Sequence, residues 1–372
     1  MLETPVRVLE VLTVPFAKNG ITMCVMNYIS RFDSAYVRCD LLAPTEPDEM
    51  SARLIEQTGG QVFVLGRRNS DPAAYMHKLS IIVSERKEQI VHAHGNSATL
   101  ALEMLAAKHG GAKVRVAHSH NTTCKMKLAD KALRGTFRRN YTHAMACGDA
   151  AGGWLFGDAP FTVLKNAIPA SHFHYNESLR AQTRGEYHIP AEAFVVCHVG
   201  TFNEQKNQAF LLDAFAKLLQ KRPDARLILA GEGRLMPACR ERAAKLGIDG
   251  SVVFTGALSD VAPVFSAADV FALPSLHEGL PLTLIEAQSA GLPCVVSDRV
   301  TKEAALTELV MFCGIGGAEA FADALLQPSV KGGRDSLSDT AIRHVRESGY
   351  DVNENAKQLV KWYESLVREA ET

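Results

Sequence analysis

The sequence predicts an α/β protein made of two doubly wound, Rossmann-like domains, and three observations predict it. Short apolar runs such as Val6-Arg7-Val8-Leu9-Glu10-Val11-Leu12-Thr13-Val14 and Phe194-Val195-Val196-Cys197-His198-Val199 read as buried parallel strands. Each is followed by a glycine-bearing turn and an apolar-periodic helix, and this alternation recurs along the chain. A length of 372 residues, 47% hydrophobic and 22% charged, suits two ordinary globular cores.

In the first half, the strand at 6–14 leads through Pro15 and Gly20 into a helix starting at Ile21. Gly20 allows close backbone approach at that helix N-terminus, so the loop either touches a phosphate or an acceptor or is a plain turn. Further strands are expected near 38–42, 62–65, 90–94 and 113–118, with helical stretches such as 97–109 between them. Ligands of doubly wound sheets bind beyond the carboxyl ends of the strands. Two strands end there in histidines, His92-Ala93-His94-Gly95 and His118-Ser119-His120-Asn121. Strand-end histidines are often structural, and no Asp, Glu or Cys set with ligand spacing accompanies these, so no metal is expected.

The next helix carries Lys125, Lys127, Lys131, Arg134, Arg138 and Arg139 against one acid, Asp130, with Met126, Ala129, Leu133 and Phe137 three or four residues apart. Such a basic amphipathic helix can lie on an anionic leaflet or face a lipid-pyrophosphate acceptor, with Lys125, Lys127, Arg134 and Arg138 as the candidate contacts. A solvated face over a packed apolar stripe is the competing reading. After a strand at 142–146 and the run 161–169, the polar stretch 170–190 reads as an interdomain linker. The domains are then 1–169 and 191–351, and the last helix, 352–372, crosses back onto the first.

A net charge of −1 offers no general attraction to nucleic acid. The eight scattered cysteines read as reduced thiols of a cytoplasmic protein. No signal-like leader and no apolar run of about 20 residues is seen, so peripheral contact with the inner membrane face is the membrane role expected.

The second half opens with Gly200-Thr201-Phe202-Asn203-Glu204-Gln205-Lys206 after a strand, and Lys206 there can neutralise charge on a leaving diphosphate. Gly231-Glu232-Gly233 is too short to be a dinucleotide fingerprint. A strand at 269–273 then precedes Ser275-Leu276-His277-Glu278-Gly279-Leu280-Pro281-Leu282-Thr283-Leu284-Ile285-Glu286-Ala287. Pro281 suits the first position of a helix, which needs no amide hydrogen. Eight residues of helix rise roughly 12 Å, so Glu278 and Glu286 would reach the two hydroxyl-rich ends of a nucleotide sugar. Amides near Gly279, Leu280 and Leu282 would hold its diphosphate. Two solvated acids on a capped helix are the plainer alternative, and the neighbouring motifs weigh against it.

Glu278-Gly279-x-Pro281 with Glu286, together with Gly200 and Lys206, resembles the motifs of retaining family 4 glycosyltransferases. The resemblance covers about residues 1–300 and implies the GT-B arrangement, two Rossmann-like domains facing a cleft. It implies that Glu278 contacts donor sugar hydroxyls, that Glu286 contacts the ribose, and that His118, rather than His120, faces the donor. Glu278, His118 and Lys206 are thus the catalytic candidates. Glu286, Gly200, Gly279, Leu280, Leu282 and Gly20 are the donor-binding ones. Three departures stand out: Asn19 precedes Gly20 where a second glycine is usual, Ala167 replaces the hinge glycine, and Thr201 replaces an arginine. The expected activity is retaining transfer of a sugar from a nucleotide-sugar donor, such as a UDP-sugar, to a saccharide or lipid-linked acceptor in bacterial surface polysaccharide synthesis. No cofactor or metal is expected. A nucleotide-sugar epimerase of the same fold and a non-catalytic nucleotide-sugar binder are the alternatives.

Overall fold

The computed structural model describes residues 4–17, 19–327 and 333–371, which fall into two units, Met1–Ala167 with Gly349–Thr372, and Ile168–Ser348. Unit 1 holds strands β1 Val6–Leu12, β2 Val37–Ala43, β3 Val62–Val64, β4 Ile90–Gly95, β5 Val114–Ser119, β6 His143–Ala146 and β7 Thr162–Val163. They form one parallel sheet in the order β3-β2-β1-β4-β5-β6-β7. Because side chains alternate along a strand, Val6, Val8 and Leu12 enter one core while Leu9 and Val11 enter the core on the opposite face. The first core is covered by the helices Gly20–Ile29 and Val352–Glu371, the second by helices that include Lys127–Asn140. The C-terminal helix thus belongs to unit 1, with Leu359, Tyr363, Leu366 and Val367 buried in its core. Thr372 lies outside the described residues.

Unit 2 holds β8 Val195–Val199, β9 Arg226–Ala230, β10 Val252–Gly256, β11 Val270–Leu273, β12 Cys294–Ser297 and β13 Val310–Cys313, parallel in the order β10-β9-β8-β11-β12-β13. The strand order reverses at β1 and β4 in unit 1 and at β8 and β11 in unit 2, the points where doubly wound sheets open a crevice at their carboxyl edge.

The stretch 170–190 is no linker: it forms a short 3-10 turn, Ala170–Phe173, and the helix Glu177–Glu186, both within unit 2. Its polar residues are spent internally. Arg180 and Arg184 both pair with Asp269, at 2.7 and 2.9 Å, and Arg184 also donates to the carbonyls of Ala267, Ala191 and Ala193. The chain passes between units at Ala167. That residue has no positive φ, so alanine fits where the resemblance led us to expect glycine.

Candidate functional site

At the β8/β11 switch of unit 2 two loops lock together. Leu276 N donates to Gln205 O at 2.8 Å, Asn207 Nδ2 to Pro274 O at 3.2 Å, and Gln205 Nε2 to His277 O at 3.0 Å. The lock brings Lys206 Nζ to 2.6 Å from Glu278 Oε1, with 15% and 10% of the two side chains exposed. Ser275 Oγ donates to the same oxygen at 3.0 Å, and Gln205 Nε2 to Glu278 Oε2 at 3.1 Å. Three donors therefore aim the carboxylate. Gly200 gives the lysine its path: a Cβ there would stand 3.2 Å from Lys206 Cδ and Cε. Gly231 and Gly233, at φ +135° and +153°, let the loop after β9 press on Gly200 and Phe202, where any side chain would meet backbone within 2.4 Å. Their role is packing.

Beneath Thr201, Gln208 Nε2 donates to its carbonyl at 3.0 Å and lies 3.2 Å from His198 Nε2, while His198 Nδ1 donates to Ala272 O at 2.9 Å. Burial, only partly opposed by that carbonyl, lowers the His198 pKa to about 4 and keeps the ring neutral. Thr201 itself is exposed and brings no cation.

The helix runs Leu282–Ser289, and Pro281 is its N-cap in extended backbone, not its first residue. Glu278 sits before it, in an isolated bridge with Val300. The expected 12 Å helical rise between Glu278 and Glu286 therefore does not apply, since only 282–286 are helical; without an amide hydrogen, Pro281 ends the extended segment instead. Nothing stands within 4 Å of a Cβ built on Gly279, so this turn borders open space. The amides of Leu282 and Thr283 belong to the first helical turn, which lacks intrahelical acceptors. Glu286 is half-buried. Desolvation first, then the charge of Asp260, raises its pKa to about 7 against the pull of Lys206.

In unit 1, Gly20 opens its helix, but Asn19 caps it and already accepts from Ile21 N and Thr22 N at 3.1 and 3.0 Å. A phosphate there would have to displace that side chain. His118 is 1% exposed; its Nδ1 meets His92 Nε2 at 3.1 Å and its Nε2 has no partner. His94 bridges Glu10 Oε2 at 2.6 Å and His120 Nε2 at 2.9 Å. Burial, then the charges of the neighbouring rings, holds His118 and His120 well below the ordinary imidazole range. His94 falls to about 4, through burial first and His92 second, against the pull of Glu10.

The basic helix begins at Lys127, with Met126 as its N-cap, so Lys125 precedes it. Met126 does not join the packed stripe: it is 47% and Leu128 87% exposed, whereas Phe137 is buried. Arg134 is taken up by Asp130 at 2.9 Å, and Asp130 also accepts from Ala98 N at 2.8 Å. Lys125, Lys127, Lys131, Arg138 and Arg139 are exposed around Leu128.

Sequence reasoning missed Glu10, Tyr363, Gln205 and Ser275. A lone acid at an inward position of an apolar strand was the available signal for Glu10. The other three have no distinguishing pattern.

Two doubly wound parallel sheets, with a lysine–carboxylate pair beside a helix N-terminus at the switch point of the second, define the class of the α/β enzymes built on paired doubly wound sheets. Residues 193–328 match the family described as Glycosyl transferases group 1. Over 374 residues, 96% of each chain, the sequence is 30% identical to EpsF of Bacillus subtilis (strain 168), which bears a glycosyltransferase name. It is 35% identical over 113 residues, 30% of this chain and 29% of the other, to an Escherichia coli UDP-Gal:alpha-D-GlcNAc-diphosphoundecaprenol alpha-1,3-galactosyltransferase. The crystal structure of Anabaena HepE in complex with UDP has the same fold, with TM-score 0.76 at 18% identity over 96% of this chain and 100% of that one. The chain belongs to the group 1 glycosyltransferases, and its fold is that of the GT-B enzymes.

Proposed function

We propose that the protein transfers a sugar, with retention of anomeric configuration, from a nucleotide-sugar donor of the UDP-sugar kind to a lipid-linked saccharide in bacterial surface polysaccharide synthesis. The observation that carries this reading is the Lys206–Glu278 pair, held by Gln205 and Ser275 at the β8/β11 switch. Glu278 accepts hydrogen bonds from donor sugar hydroxyls, and Glu286 from the ribose. As the bond from the anomeric carbon to the diphosphate breaks, charge grows on the diphosphate, where Lys206 and the amides of Leu282 and Thr283 neutralise it. The acceptor oxygen bonds to the same carbon, and its proton leaves with the diphosphate. No metal is assigned to any step. Similarity to HepE, whose crystal structure is a complex with UDP, and to the Escherichia coli galactosyltransferase named for a diphosphoundecaprenol-linked acceptor supports the donor and acceptor classes.

The acceptor side is read as the exposed cations around Leu128, a face suited to an anionic leaflet. No helix among the described residues is long and apolar enough to cross a membrane. A thermal-shift panel of nucleotide sugars, followed by product analysis with the stabilising donor, tests the reading. A changed nucleotide sugar released without acceptor would mean epimerisation, and binding without hydrolysis or transfer would mean a non-catalytic binder.

A further inference from the structure

No acid or cysteine accompanies the strand-end histidines along the chain, but strand pairing sets Glu10 of β1 beside His92 of β4, and His94 of β4 beside His118 of β5. All four residues are buried on the sheet face that the C-terminal helix covers, where alternation calls for apolar side chains. No lysine or arginine answers the acid: among the described residues its partners are His92, His94 and Tyr363. A carboxylate buried in this way calls for a compensating cation.

The outer hydrogen bonds leave each ring a nitrogen to offer. His94 Nε2 donates to Glu10 Oε2 at 2.6 Å, which puts its lone pair on Nδ1. Tyr363 gives its one proton to Glu10 Oε1 at 2.9 Å, so the phenol oxygen accepts from His92 Nδ1 at 2.5 Å and the lone pair of His92 lies on Nε2. His118 Nδ1 meets that nitrogen at 3.1 Å, and His118 Nε2 is a buried atom with no hydrogen-bond partner among the described residues. Native structures rarely leave such an atom unfilled. One nitrogen from each of the three rings lies within 4.8 Å of the other two. Nitrogens bound at about 2.0–2.1 Å around a tetrahedral ion stand about 3.3 Å apart, so each pair has about 1.5 Å or less to close.

We infer that His92, His94 and His118 bind one divalent transition ion of the zinc class inside unit 1, with Glu10 behind His94 and Tyr363 behind His92. Outer partners of this kind fix the tautomer and orientation of histidine ligands. Imidazole suits zinc, nickel or copper, whereas magnesium and calcium take oxygen. His120 Nε2, 2.9 Å from His94 Nδ1, is placed for a fourth position. The ion is structural: it ties the carboxyl ends of β4 and β5, through Glu10 and Tyr363, to β1 and the C-terminal helix. All of these residues belong to unit 1, whereas Lys206 and Glu278 belong to unit 2, so the inference does not rest on the transfer reading.

The test is metal analysis of the full chain, made without a histidine tag, grown with zinc and gel-filtered. About one zinc per chain is expected, and X-ray absorption should show at least three nitrogen ligands at about 2.0–2.1 Å. After chelation, zinc added back should restore one equivalent and raise the melting temperature, because an ion bound to the folded state stabilises it, and magnesium should do neither. His94→Gln and His118→Gln should each lose the ion, while His109→Gln, at an exposed histidine, should keep it. Glu10→Gln leaves the three rings in place and should weaken zinc about 10- to 100-fold. A parent chain that takes up no zinc when titrated with an excess overturns the inference. So does zinc retained in both His94→Gln and His118→Gln, or an absorption spectrum dominated by oxygen or sulfur ligands. Should the variants fail to fold, the stoichiometry and spectrum of the parent decide. None of these measurements needs a nucleotide sugar, so failure of the transfer reading would leave their expected results unchanged.

Discussion

Replacing Glu278 by Gln keeps the shape of the side chain and removes its charge. Glu278 Oε1 accepts from Lys206 at 2.6 Å and Ser275 at 3.0 Å, and Oε2 accepts from Gln205 at 3.1 Å. The amide oxygen can still serve two of these donors, but its nitrogen faces the third. Because 15% of the Lys206 side chain is exposed, the cost of leaving the ammonium without its counter-charge is about 1–3 kcal/mol rather than that of a sealed pair. A melting temperature lowered by a few degrees follows. Transfer should suffer more: a charge-assisted bond to a donor hydroxyl contributes about 1.5–3 kcal/mol, so kcat/KM should fall by about 10- to 150-fold. The two roles separate in UDP binding. Freed from Glu278, Lys206 is more available to the diphosphate, and the affinity for UDP alone should hold or improve while transfer is lost. Calorimetry with UDP, beside steady-state rates with the donor, makes the comparison. If UDP affinity and transfer fall together, or if transfer is untouched, Glu278 only braces the loop.

Glu286, with its pKa near 7, should make the Kd for UDP fall as pH rises from 6 to 8, because only the carboxylate accepts from both ribose hydroxyls. Phosphate ionisation acts in the same direction, so the comparison is with Glu286→Gln, whose pH dependence should be shallower. Stability has the opposite sign: a carboxyl with a raised folded pKa loses stability as pH climbs from its unfolded value near 4.5 through 7, and Glu286→Gln should erase that loss in melting curves. Thr201→Arg is exposed enough to fold and adds the cation that related motifs carry, so UDP affinity should rise about fivefold, roughly 1 kcal/mol, and the gain should shrink with salt. Replacing Lys125, Lys127, Lys131 and Arg138 by Gln together with Leu128 by Ser should abolish co-sedimentation with acidic vesicles and leave UDP binding intact. Equal sedimentation of parent and variant would return this face to solvent.

The strands of both sheets were legible because parallel strands buried on both faces read as unbroken apolar runs. Ile90–Gly95 and Val195–Val199 are found within a residue or so of where their patterns put them. The edge strand Val310–Cys313 was not: it is only partly buried, and its neighbours give no contrast. The supposed linker failed for a different reason. Composition marks polar residues as solvent-facing, yet Arg184 is buried because Asp269 and the carbonyl of Ala267, both far away in sequence, satisfy it together with the nearby carbonyls of Ala191 and Ala193. At the site, Glu278 and Lys206 were visible as chemistry-bearing types beside glycines. Gln205 and Ser275, which aim the carboxylate, were not, since a glutamine and a serine in a loop mean nothing until the second loop is brought against them. The proline was read one position off, as the first helical residue, because its sequence preference fits both N1 and the extended residue before it.

The closed Lys206–Glu278 pair bears on selectivity in the proposed reaction. Any ligand that enters must part an ammonium from a carboxylate 2.6 Å away, and that separation is repaid only if both charges find new partners. A free diphosphate offers an anion to Lys206 but leaves Glu278 facing it with like charge. A free sugar offers hydroxyls to Glu278 and nothing to Lys206. Only a molecule with phosphate and sugar at the spacing of the two side chains satisfies both at once, so the penalty falls least on the intact donor and more heavily on each of its halves. After transfer the product is such a half: UDP keeps its hold on Lys206, but Glu278 has lost the sugar hydroxyls. The attraction between the two side chains then works to re-form the pair, and the same contact that screens the incoming ligand favours release of the spent nucleotide.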